Sequence, residues 1–197
     1  MIEKIKHSLA LQQLKKDSSL IERVRKDPNI HREAFVGILY DATDKEQFEV
    51  VREFFRDLKA NGKNPVSLGY IDFKEPLSFH PLARPESDYF FKHQLNWMQK
   101  PASAVVDNFI AEPFDILINL SLQDAYPLNY IAAVSKAGLK IGRAQSEISF
   151  CYDMSFYLDE QADLRSFAYM IVHYLSQLNH EKTGSPQRNR SSHYYAI

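Results

Sequence analysis

Seven polar residues stand directly behind apolar runs, at places where chemistry can be done. Asp41 and Thr43 follow the run 34–40, and Asp72 follows 66–71. Asn119, Ser121 and Asp124 close or follow 114–120, and Arg143 follows 139–142. A guanidinium such as Arg143 can grip a carboxylate or phosphate through two parallel hydrogen bonds. Asp41 can serve as a general base, and Asp41 with Asp72 can hold a divalent ion if their oxygens converge. Ser121 becomes a nucleophile if His80 or His93 reaches it. Each residue also has a plainer use. Asp and Thr after a strand cap helices, Asn and Ser satisfy loop backbone, and Arg143 pairs with a neighbouring acid.

The surrounding strings narrow these options. Ser121 sits in Asn119-Leu120-Ser121-Leu122-Gln123, which is not a G-x-S-x-G elbow. No G-x-G-x-x-G and no G-x-x-x-x-G-K-[ST] occurs, which demotes dinucleotide oxidoreductases and nucleoside triphosphatases. His31, His80, His93, His173 and His180 are too dispersed for a named metal spacing, and there is no H-E-x-x-H or C-x-x-C. The sequence calls for no metal and no cofactor. Trp97, in Leu95-Asn96-Trp97-Met98, can cover a crevice or present a partner surface, but the expectation is that it fills core.

For the seven residues to meet, the runs that carry them must lie side by side and point the same way. Residues 34–40 read as a strand, and Thr43 is placed to cap a helix starting near Asp44, with Glu46 completing a capping box. Phe48, Val51, Phe54, Phe55 and Leu58 recur at helical spacing, and 66–71 returns as a strand. Residues 114–120 form a second strongly apolar strand, followed by a helix over 128–136, Gly138 as a left-handed stop, and a strand over 139–142. This alternation predicts an α/β fold: an open, mostly parallel Rossmann-like sheet with helices on both faces and an N-terminal helical extension. Such sheets take their ligands in the crevice beyond the carboxyl ends of the strands.

The remainder is less regular. Pro76, Pro81 and Pro85 break up 72–100, where Tyr89-Phe90-Phe91 reads as a short strand. A short helix fits 103–109 with Pro101 near its start, 148–158 reads as a strand or bent pair at the sheet edge, and 163–178 as a closing amphipathic helix.

Composition sets the outer bounds. A chain of 197 residues with 45% apolar and 25% charged content fits one globular domain. The organisation expected is a basic helical extension over 1–30, a single α/β domain over 31–179 and a flexible tail over 180–197. Lys4, Lys6, Lys15, Lys16, Arg23, Arg25 and Lys26 give the extension a positive face. In the tail, Arg188, Arg190, Tyr194 and Tyr195 could dock, though fraying is expected. With 24 Lys and Arg against 25 Asp and Glu, no global field attracts nucleic acid. The single Cys151 lies in an apolar run and is expected to be a buried, inert thiol. No apolar segment approaches the roughly 20 residues of a transmembrane helix, and no signal peptide is recognisable, so cytoplasmic residence is the default.

The string FDILINLS over 114–121, Pro127, NYIAA over 129–133 and the closing Gly142-Arg143 resemble a family of small uncharacterised cytoplasmic proteins from Bacteroidetes. The resemblance covers most of 31–175 and implies no reaction, substrate or cofactor. The strand, polar turn and Ala-rich helix are also similar to part of nucleotide-sugar glycosyltransferase half-domains, without their glycine-rich turns.

Three functions follow as expectations. The leading one is binding of a polar or anionic small ligand, or of a protein partner, at the carboxyl edge through Asp41, Thr43, Asp72, Asn119, Ser121, Asp124 and Arg143. The second is a small transferase or hydrolase with Asp41 as base and Arg143 stabilising an anion. The third is a membrane or RNA accessory role for the basic first helix, with no sequence-specific nucleic-acid contact.

Overall fold

The apolar runs assemble into a six-stranded sheet with strand order β3-β2-β1-β4-β5-β6. The strands are β1 (Phe35–Asp41), β2 (Asn64–Ile71), β3 (Ser87–Phe91), β4 (Ile116–Asn119), β5 (Leu139–Arg143) and β6 (Met154–Phe156). Every neighbouring pair is parallel. The computed structural model describes residues 2–26, 33–73, 86–159 and 161–183. The expectations for His31, His80, Pro76, Pro81, Pro85 and the tail residues Arg188, Arg190, Tyr194 and Tyr195 lie outside the described residues.

Covered on both faces, the central strands read as continuous apolar runs; β4 is buried throughout and β1 along all but its ends. Successive residues point to opposite faces and so enter different cores. On one face Val36, Ile38, Ile118 and Ile141 meet Phe48, Val51 and Phe54 of α2 (Lys45–Ala60) and Phe167 and Ile171 of α5 (Leu164–Thr183). On the other, Leu39, Leu68 and Leu117 meet Val106 and Phe109 of α3 (Ala104–Ala111) and Leu128 and Ile131 of α4 (Tyr126–Val134). Helix α5 runs past the boundary expected at residue 179. Among the described residues, no helix is long and apolar enough to cross a membrane.

Helix α1 (Ile2–Ser19) adds a third layer. Its Ala10 and Leu14 pack on Tyr126, Tyr130 and Ala133 of α4 and on Ile148 and Cys151. With the sheet on one side and α1 on the other, all nine residues of α4 are buried, which is why that helix is apolar but for Asn129 and its two tyrosine hydroxyls. Polar ties fix the contact. Tyr126 donates to the Ala10 carbonyl at 2.9 Å, and Asp17 accepts from Tyr130 at 2.7 Å and from Lys100 at 3.0 Å. The helix stops at Ser19, well inside the helical extension expected over 1–30. Residues 20–26 continue without regular structure and are held where Lys26 N donates to the Gly138 carbonyl at 2.9 Å. The basic face is accordingly divided: Arg23 and Arg25 pair with Asp153 and Lys26 with Asp115, leaving Lys4, Lys6, Lys15 and Lys16 on the helix.

Four local expectations need correction. Asp44, not Thr43, caps α2, its carboxylate accepting from Gln47 N at 3.0 Å. Gly138 is not in the left-handed region; it is small because a Cβ there would come within 2.6 Å of the Lys26 stem. The left-handed glycine is Gly62, at φ 75° behind α2. Residues 148–158 are not one strand, since a 3₁₀ segment (Ser146–Cys151) leads into the short edge strand β6. Trp97 does not fill core: it is 64% exposed at the tip of a loop closed by the Leu95–Pro101 bridge.

Cys151 meets its expectation. Burial pushes the thiol up to about 12, with only slight relief from the charge of Lys140. Native protein at pH 8 should therefore show no thiol reactive toward a disulfide reagent, and one per chain after denaturation. Rapid native labelling would contradict the packing of α1 over this segment.

Candidate functional site

Because the strands are parallel, their carboxyl ends share one edge of the sheet, and all seven rim residues stand there. The strand order reverses direction between β1 and β4, the switch point where doubly wound sheets leave a crevice. Leu120 N donates to the Leu39 carbonyl at 2.8 Å and Ala42 N to the Tyr70 carbonyl at 2.8 Å, so β4, β1 and β2 end almost level.

The seven residues divide into two hydrogen-bonded groups. Around β1 and β2, Asp41 Oδ1 accepts from Thr43 N at 2.9 Å, and Thr43 Oγ1 accepts from Asp72 N at 2.9 Å. Asp72 accepts from Tyr70 at 3.1 Å and pairs with Lys92 at 2.8 Å. The ammonium of Lys92 thus lies against the carboxylate that a divalent ion would have needed. No group of three or more metal-ligating side chains occurs among the described residues.

Around β4 and β5 the second group is denser. Asn119 Nδ2 donates to Tyr152 Oη at 2.8 Å and to Asn129 Oδ1 at 3.2 Å, and Tyr152 donates to the same Asn129 oxygen at 3.1 Å. Asn129 Nδ2 donates to Asp124 at 2.8 Å. Asn119 Oδ1 accepts from Ser121 N at 3.2 Å. With its amide turned to satisfy both neighbours, Gln145 donates to Asp124 and accepts from Arg143, each at 3.2 Å. Burial raises the phenol pKa of Tyr152 well above its ordinary value, and the hydrogen bond from Asn119 opposes that only in part, so the inner trio of Asn119, Asn129 and Tyr152 is neutral, with the exposed Asp124 carboxylate at its margin. Closed networks of buried polar groups rigidify the backbone that carries them.

The two residues of the nucleophile reading with His93 each have another partner. Ser121 Oγ donates to the Gln123 carbonyl at 2.8 Å, while the His93 ring stacks on Phe91 with centroids 5.6 Å apart. Asn129, Gln145 and Tyr152 were missed as members of the site. Asn129 gave a signal, a polar residue one turn into an apolar helix; Tyr152 gave none, because a 3₁₀ segment has no readable period.

Charge is unevenly spread along this edge. Asp41, Asp44 and Glu46 gather at the β1–α2 turn, and the Asp44 carboxylate already occupies the amino end of α2. An anion brought there would meet carboxylate rather than open N–H groups. Arg143, half-buried at the end of β5, is the positive counterpart. Three hollows lie elsewhere: a groove of about 640 Å³ between α2 and α5, a smaller one beside Tyr40 and Tyr89, and a basic one beside Lys140. None takes lining from the seven rim residues.

Residues 6–178 match the model of a family described as Family of unknown function (DUF6913). The matched span takes in most of α1 as well as the whole sheet. No curated protein and no solved structure matches the chain.

Proposed function

The chain belongs to the DUF6913 family, and for this member we propose that the carboxyl edge binds a small polar molecule at the β1–β4 switch point. The observation that carries the proposal is the strand order: the Asp41–Thr43 turn and the Asn119–Ser121 turn follow the adjacent strands β1 and β4, the switch point at which doubly wound sheets take their ligands. The split in charge narrows the ligand. Hydroxyl or amino donors suit Asp41, whose second oxygen has no described hydrogen bond, and a carboxylate or phosphate suits Arg143. Nucleosides, nucleotides, nucleotide sugars and α-amino acids have this makeup in different lengths.

An amide-resolved NMR titration with those four classes tests the reading. One class should shift the amides of 42–45 and 120–126, with affinity falling at least tenfold in Asp41→Asn and in Arg143→Gln. Shifts confined to other surfaces would sink the proposal. A transferase or hydrolase using Asp41 as base would bind in the same place and would also turn its ligand over.

A protein partner at this edge is the second reading, favoured by Trp97. Its loop is clamped: Asn96 Oδ1 accepts from Met98 N at 2.8 Å and Lys100 N at 3.0 Å, and Gln99 takes φ 61°. A rigid loop holding an exposed indole is a low-entropy anchor for a partner.

A further inference from the structure

At the amino-terminal edge of the sheet, away from the rim, lies a hollow of about 430 Å³ built by residues 18–25, Ala133, Lys140 and Phe150. Lys140, second residue of β5, is 2% exposed. Its ammonium donates to the Ala133 carbonyl at 2.8 Å, in the last turn of α4, where a cation suits the helix dipole. One carbonyl leaves two of the three ammonium donors without a described acceptor. Arg23 and Arg25 line the same hollow and share a single carboxylate, that of Asp153. Three positive groups stand against two negative ones, Asp153 and the wall residue Glu22, so the hollow is net positive. A buried ammonium with so few acceptors is costly unless something else meets it.

We propose that this hollow binds a phosphate group, with Lys140 at its floor and Arg25 at its mouth. A phosphate oxygen supplies the missing acceptors of Lys140, and the Arg25 guanidinium, 78% exposed in its side chain and paired with Asp153 through Nε at 3.3 Å, can turn its terminal nitrogens to a second oxygen. The lysine's state agrees: burial, and then the charges of Arg23 and Arg25, pull its pKa down to about 8, the condition that a bound dianion relieves. The volume leaves space for an organic body beside the phosphate.

The test is titration of the full chain with inorganic phosphate and with ribose 5-phosphate, against chloride at equal ionic strength, read by amide shifts and calorimetry. Saturable shifts are expected at residues 18–25 and 133–140, weakened at least tenfold by Arg25→Ala and by Lys140→Met. Tighter binding of the sugar phosphate assigns an organic ligand, and equal binding assigns the free ion; both support the site. Shifts no larger than those of chloride overturn it, as does an affinity unchanged in Arg25→Ala, an exposed replacement that leaves the fold intact.

Discussion

Replacing Gly142 by Ala should cost about 3 kcal/mol, more than its single methyl suggests. A Cβ at residue 142 would stand 2.5 Å from the Tyr152 ring. The ring cannot simply swing aside, because its hydroxyl is fixed between Asn119 and Asn129. Relief of the clash therefore breaks the rim network and leaves buried amide groups short of partners, each worth about 1–3 kcal/mol. Urea unfolding of wild type, Gly142→Ala, Tyr152→Ala and the double variant measures this. The two changes should couple by about 2 kcal/mol, since with the ring gone the methyl has room. Strict additivity would mean that glycine at 142 has some other cause.

A comparable loss, about 3 kcal/mol at pH 7, is expected for Asp153→Asn. This carboxylate takes 2.6 and 2.8 Å bonds from Arg23, a further bond from Lys140 N at 2.9 Å, and an ion pair with Arg25. Arg23 and Asp153 are both almost buried, so neutralising one leaves the other's charge stranded beside the Lys140 ammonium. Burial alone would raise the pKa of Asp153, but the Arg23 and Lys140 hydrogen bonds and the two guanidinium charges outweigh it and hold it below the ordinary value. A depressed folded pKa stabilises fully above the unfolded value of about 3.9 and is lost as pH falls through the folded one. The wild-type advantage over Asp153→Asn should thus be intact at pH 5 and shrink below about pH 4. A pH-independent gap in urea midpoints would rule out the charge as its source.

Much of the architecture was legible because the sheet is buried on both sides. Strands β1 and β4 announced themselves as apolar runs and β2 and β5 as runs interrupted by Ser67 and Lys140, and the placement of seven polar residues at one edge followed once those runs were parallel. What failed was decided by distant partners. Thr43 and Asp44 both begin plausible capping patterns, with Glu46 and Gln47 three residues on. The choice fell to Asp44 because the Thr43 hydroxyl is taken by Asp72 N, just past the end of neighbouring β2. Gly138 sits where a helix stop belongs, yet its size answers to Lys26, 112 residues earlier. Trp97 looked like core by type alone; a loop clamped by Asn96 turned it outward. The basic hollow was unreadable, since it joins the N-terminal segment to a strand more than a hundred residues later.

The third layer has a consequence for how the chain is born. Between β5 and β6 there is a 3₁₀ segment instead of a covering helix, and α1 supplies the cover. Helix α1, synthesised ahead of the sheet, must therefore wait, undocked, until residues 126–151 have been made. During that interval Ala10 and Leu14 have no surface to meet, and the nascent chain is most exposed to chaperones and proteases.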